Sequence, residues 1–173
     1  FLFDARTGSR LHTFTKPDSF APAVDDNLGI AVAIAEGQVY AGARFDNFGA
    51  PDAGAVYQFN TRTGDVRRIA NPTPQSNDQF GAALAASGNR LLVGALFDNS
   101  GASQSGAAYL YVIDSASSGS GTPVCTLTNP TVGVTDEFGF SVALNGTLAL
   151  IGSPLDDLGA NDVGFLFVIT DYV

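Results

Sequence analysis

The sequence predicts an all-β protein built from repeated four-stranded antiparallel units, and three observations carry that expectation. The composition is one: 20 Gly, 8 Pro and 13 Phe among 173 residues, with one Lys and two Glu, favours strands and turns over helices. The second is self-similarity. DDNLGIAVAIAEGQVYAGARFDNFGAPDAGAVYQF, NDQFGAALAASGNRLLVGALFDNSGASQSGAAYLY and TDEFGFSVALNGTLALIGSPLDDLGANDVGFLFVI align so that Gly29, Gly81 and Gly139 are each followed 13 residues later by Gly42, Gly94 and Gly152. Gly54, Gly106 and Gly164 follow 12 residues after those. The third is that strand-length apolar runs, bounded by Gly, Asn, Asp and Pro, recur at matching places in each unit.

Within a unit the first strand runs from about Ile30 to Ile34, with counterparts Ala82 to Ala86 and Phe140 to Leu144. Its Ala and Gly suit close packing between sheets. Tight turns at Glu36-Gly37, Ser87-Gly88-Asn89 and Asn145-Gly146 lead into a second strand such as RLLVGA, which is hairpin chemistry. A ten-residue Asp/Asn/Gly loop leads to the third strand, AVYQF, AAYLY or FLFVI, and a turn such as Thr63-Gly64 to the fourth, VRRIANP or VCTLTNP, which a proline stops. Units start 52 and 58 residues apart, the difference being the Ser/Gly-rich insert DSASSGSG, read as a flexible loop.

The two ends follow from the same alignment. FLFDARTG pairs with YQFNTRTG, so the chain starts on a third strand, passes through a fourth, LHTFTKP, and ends on another third strand, FVITDYV. The expected organisation is one domain: a partial blade over 1–24, repeats at 25–72 and 73–130, and a repeat at 131–173 lacking its fourth strand. With Phe1 first and no charged-then-apolar leader, the chain reads as a processed product or an excised piece.

Units of about 50 residues with four antiparallel strands match β-propeller blades. The order FG, small-residue strand, LLVGA, DN-x-G-A loop, GAAYLY resembles the FG-GAP repeat of the integrin α-subunit propeller and of many bacterial secreted and surface proteins. Leu28 departs from the FG pair in the first unit, and the proline of GAP survives only in Ser153-Pro154. The resemblance implies blades, an extracellular or cell-surface location, a role in adhesion or recognition, and no catalytic residues.

Three blades are fewer than usually close a propeller, which leaves three expectations: a fragment of a longer array, closure by the chain's own N-terminal strand, or completion of the last blade by a second copy. Strand addition is an established recognition mode. The assembly strands would carry Phe1, Phe3, Leu11 and Phe14 at one end and Phe165, Phe167 and Ile169 at the other. The expected function is thus a non-enzymatic structural or adhesive protein that self-assembles into an oligomer or fibre, its partner being another copy.

The alternative is a calcium-assisted module binding glycans or extracellular proteins. The integrin-type D-x-D-x-D-G calcium loop is missing, because the connection between first and second strands is too short for it. The following loop still offers oxygen donors at short spacing: Asp46, Asn47 and Asp52; Asp98 and Asn99; Asp156, Asp157 and Asp162. Such a set suits Ca²⁺, and equally a self-capped turn. Asp26, Asp78 and Asp136 precede the Leu-Gly or Phe-Gly pairs and read as turn residues or as an acidic rim.

A formal charge of −9, with Arg67-Arg68 as the one adjacent basic pair, argues against nucleic acid as partner. No run of eighteen apolar residues occurs for a membrane span. The single His12 shares its repeat position with Arg67 and Cys125, which suits an exposed filler rather than a catalytic base. Asn145-Gly146-Thr147 is a glycosylation sequon on a predicted turn. Tyr57, Phe59, Tyr109, Tyr111, Phe165 and Phe167 alternate along third strands as packing residues do.

Overall fold

The computed structural model describes residues 1–17, 20, 25–113, 121–157 and 162–170. The insert at 114–120, most of the link at 18–24, part of the third DN-x-G-A loop at 158–161 and the chain end at 171–173 lie outside the described residues.

Two strands at the start, β1 (Leu2–Phe3) and β2 (Arg10–His12), pair as a hairpin. Blade 1 follows as β3 (Leu28–Ala35), β4 (Gln38–Ala43), β5 (Ala55–Asn60) and β6 (Val66–Ala70), in spatial order 3-4-5-6. Blade 2 repeats it with β7 (Phe80–Ser87), β8 (Arg90–Ala95), β9 (Ala107–Val112) and β10 (Cys125–Thr128). Among the described residues blade 3 has three strands, β11 (Ser141–Asn145), β12 (Leu148–Ser153) and β13 (Phe165–Ile169). All paired strands are antiparallel, each blade is a meander, and among the described residues the sheets do not close into a ring.

The all-β expectation, the four-stranded blades and the partial blades at both ends hold. Two boundaries differ. The hairpin turns are Gly88-Asn89 and Gly146-Thr147, so Ser87 and Asn145 end their strands. In blades 1 and 2 the first strand also begins two residues earlier and includes the LG or FG pair, with a register shift just after it. Gly81 sits there at φ 91°, a backbone conformation open to glycine that lets the strand bend at a bulge.

That bend forms the joint between blades. Asn77, Gln79 and Gly81 all have positive φ, at 70°, 56° and 91°. Asn77, Gln79 and Phe80 donate to the carbonyls of Pro51, Asp52 and Ala53 in the loop of blade 1, at 2.9, 3.1 and 2.9 Å. Thr135 and Phe138 repeat this against Ser103 and Ser105, at 3.1 and 2.9 Å. Gly42 and Gly94 are glycine because the next blade's glycine lies against them: a Cβ on Gly42 would fall on the carbonyl of Gly81, and one on Gly94 on that of Gly139.

The core lies between sheets. Tyr40, Val56, Leu91, Val93, Tyr109 and Tyr111 pack between blades 1 and 2, and Leu92, Ala108, Leu110, Phe138 and Ile151 between blades 2 and 3. Phe14 and Phe20 pack on Tyr57 and Phe59 at the N-terminal side of blade 1. Each blade so covers one face of the next. The outermost faces stay open: Val32 and Ile34 of β3 are 67% and 62% exposed, and Leu166 and Val168 of β13 are 61% and 58% exposed. Their repeat counterparts Ala108 and Leu110 are 0% and 2% exposed.

Candidate functional site

Each blade carries a pair of carboxylates at its joint with the preceding one, and a side chain from the preceding fourth-strand segment enters beside the pair. At blade 1, Lys16 Nζ lies 2.7 Å from Oδ2 of both Asp26 and Asp46, with its side chain 6% exposed. At blade 3, Asn129 Nδ2 takes that place, donating to Oδ2 of Asp136 at 2.6 Å and of Asp156 at 2.8 Å. At blade 2, Asn71 Nδ2 donates to Asp78 Oδ2 at 2.8 Å, and Asp98 takes the hydroxyl of Tyr109 at 2.6 Å. Lys16, Asn71 and Asn129 all precede a proline at the end of the fourth-strand motif. Sequence reasoning missed their role, although the matching K-P and N-P pairs were the available signal.

Asp26, Asp78 and Asp136 are buried, not an acidic rim. Asp78 also accepts from Gln75 N at 2.7 Å, and Asp136 from Gly133 N at 2.6 Å. Burial, with the charge of Asp98 nearby, pushes the Asp78 carboxyl up to about 6, despite hydrogen bonds from Gln75 and Asn71 that favour its charged form. Burial raises Asp136 too, with Asp156 and Asp157 adding to it. Asp46 behaves oppositely. Desolvation works to raise it, but hydrogen bonds from Lys16, Tyr57 and Phe48 N together hold it below the usual carboxylate range. Lys16 is held above the usual ammonium range by the same contacts, against its own desolvation. Tyr57 is pushed up to about 12 by burial and by its 2.6 Å hydrogen bond to Asp46.

The DN-x-G-A loops use their oxygens internally. Asp46 and Asp98 accept from the backbone N of Phe48 and Ser100, at 2.9 and 2.7 Å. Asn47, Asn99 and Asp157 each accept, through Oδ1, the N–H five residues on, of Asp52, Gln104 and Asp162, at 2.9, 2.9 and 2.7 Å. Those three recipients have φ of 53°, 55° and 52°, so the closing residue of each loop is a left-handed turn position. In blade 3 Phe167 stands where Tyr57 and Tyr109 stand in the others, and Thr131 Oγ1 donates to Asp156 at 2.8 Å. Among the described residues no three His, Cys, Asp or Glu side chains gather in a metal-holding group. The donor set as folded does not fit calcium.

Of the assembly residues, Phe1, Phe3 and Leu11 are exposed at 72%, 53% and 61%, while Phe14 is packed 5.1 Å from Phe59. Phe167 and Ile169 turn toward the core between blades 2 and 3, and Phe165 is 37% exposed. β13 pairs with β12 alone among the described residues, so the chain's own N-terminal strand does not complete blade 3. Asn145 is exposed at the end of β11. His12 is exposed on β2, 4.7 Å from Phe14.

These joints are what a family comparison recognises: the model for the FG-GAP repeat matches residues 64–111 and 124–169, more than half the chain. The chain belongs to the FG-GAP repeat family. Both matched segments begin at or just before a fourth strand and end on the next blade's third strand, so each FG-GAP unit spans one joint with its acid pair. FG-GAP repeats are a non-enzymatic, propeller-type family typical of extracellular and surface proteins. No helix among the described residues is long and apolar enough to cross a membrane. Comparison with curated proteins returned no match.

Proposed function

We propose that this protein is a non-enzymatic extracellular structural or adhesive protein that assembles head to tail, the last blade of one copy being completed by β2 of the next. The observation that carries the reading is the edge of β13 that pairs with no strand among the described residues, beside a groove of about 420 Å³ lined by Leu127, Phe138, Phe167 and Ile169. An unpaired strand edge next to an apolar groove is a template for strand addition.

The other end of the chain supports the same reading. Beyond β2, Phe14 and Lys16 are seated on blade 1 as Leu127 and Asn129, at and beyond β10, are seated on blade 3. β2 itself is held to β1 by two residue pairs, Leu2↔His12 and Phe3↔Arg10. A copy whose β13 replaced β1 beside β2 would make a four-stranded blade from two chains. It would also bury Leu166 and Val168 against Val32 and Ile34. Such a heterologous contact propagates into a ring or a filament.

Light scattering and electron microscopy of the full chain test this. Concentration-dependent oligomers or fibres are expected, dispersed by Leu11→Pro in β2 and by the double change Leu166→Lys, Val168→Lys, with unchanged circular dichroism. A wild-type chain that stays monomeric at micromolar concentration overturns it.

A further inference from the structure

The turn ends of blades 1 and 2 enclose a cleft of about 530 Å³, lined by Glu36, Gln38, Tyr40, Asn60, Arg62 and Asn89 among others. That volume lies in the range of small-molecule sites. The chain contains its own control for this place, because the same positions recur at the joint of blades 2 and 3. Where blade 1 carries Gln38, Tyr40 and Gln58, blade 2 carries Arg90, Leu92 and Leu110, and blade 3 carries Leu148, Leu150 and Val168. In blades 2 and 3 the last two of these positions hold aliphatic residues, and only blade 1 places amides and a phenol there.

Gln38 and Tyr40 line the cleft, and Gln58 stands behind Gln38 and holds its amide in place. Gln38 and Gln58 are 8% and 7% exposed, and Gln58 Nε2 donates to Gln38 Oε1 at 3.1 Å. Its partner Gln38 presents the remaining polar capacity of that pair at the cleft wall, beside Tyr40. The mouth differs as well. Between blades 2 and 3, Ser87 Oγ accepts the N–H of Gly146 at 3.0 Å and ties the two turns together. Ala35 stands at the matching position of blade 1, opposite Gln38 as Ser87 is opposite Arg90, and a methyl group cannot make that tie.

We propose that this cleft binds a neutral saccharide. Its lining is amides and hydroxyls with one cation, Arg62, and one anion, Glu36, so it offers many hydrogen bonds and no excess charge. That chemistry suits a polyol better than a phosphate, a carboxylate or a metal ion. The site is independent of the β13 edge and of assembly.

The test is saturation-transfer NMR of the full chain with maltose, cellobiose, lactose and chitobiose. Transfer to at least one disaccharide is expected, and it should be lost in Tyr40→Leu and Gln58→Leu, which install the residues of blade 2. Ala35→Ser, which supplies the missing tie, should weaken it several-fold. Melting temperature checks that the variants fold. No transfer to any of the four sugars, or transfer that survives both leucine variants in folded protein, overturns the proposal.

Discussion

Lys16 and Asp46, 30 residues apart in sequence, meet at 2.7 Å with side chains 6% and 3% exposed. The same ammonium reaches Asp26 at 2.7 Å, so one cation from the N-terminal segment bridges two buried carboxylates of blade 1. Blades 2 and 3 have an equivalent acid pair but a neutral asparagine beside it. The balance of charge therefore differs between joints that share one architecture.

Removing the cation should be costly. Lys16→Met leaves two buried carboxylates facing each other, and loss of one partner from a buried ion pair typically costs about 3–5 kcal/mol. Lys16→Asn, which copies Asn71 and Asn129, should recover part of that by restoring hydrogen bonds without the charge. Urea denaturation of the three proteins at pH 7 checks the order: wild type, then Asn, then Met. Equal stability of the Met and wild-type proteins would count against the ion pair as the anchor of the N-terminal segment.

The acid pair of blade 2 should make the protein more stable in mild acid. Asp78 is raised to about 6 when folded, against about 3.9 in an unfolded chain. The folded state thus binds the extra proton. The stability from this group is fully present below about pH 4 and is lost as pH rises through about 6, a swing on the order of 3 kcal/mol. Asp136 is raised in the same direction. Asp46, held low, acts oppositely and withdraws its stability as pH falls through its lowered folded value. Melting temperature should therefore climb from pH 7 toward pH 5, and Asp78→Asn should raise it at pH 7 and flatten the climb.

Chelation bears on the DN-x-G-A loops. Asn47, Asn99 and Asp157 already cap the loop's own backbone, and Asp46 and Asp98 hold tyrosine hydroxyls. Neither EDTA nor millimolar Ca²⁺ should move the melting temperature. A rise with Ca²⁺ would mean that these oxygens rearrange to hold the ion, by linkage between binding and folding.

The repeat spacing made the blades legible, because glycines at fixed intervals mark backbone contacts that no other residue can make. Gly42 against Gly81 is such a contact, and Gly94 against Gly139 repeats it at the matching repeat positions. The acid pairs were not legible. An Asp shortly before a Leu-Gly or Phe-Gly pair looks the same whether it starts a turn, lines a rim or lies buried, and Asp26's partner Lys16 comes from the segment before blade 1. The cleft was hidden for a related reason: it lies between the turn ends of two blades, and repeat spacing alone does not say which turns meet.

The glycine joints yield the sharpest separation of folding from assembly. Gly94→Ala drives a methyl group into the backbone carbonyl of Gly139, and backbone cannot rotate away, so we expect a loss of about 3 kcal/mol or more. Gly152 is its counterpart in blade 3, but a Cβ there meets first the Oγ of Ser141, a side chain that can turn aside. Gly152→Ala should cost less than about 1 kcal/mol in the isolated chain. In a head-to-tail assembly Gly152 would face Gly29 of the next copy as Gly94 faces Gly139, so the same methyl group would block the contact. Denaturation and light scattering on both variants decide it. The expected pair is an unstable Gly94→Ala and a stable, monomeric Gly152→Ala; a stable Gly152→Ala that assembles like wild type would show that copies do not meet through this joint.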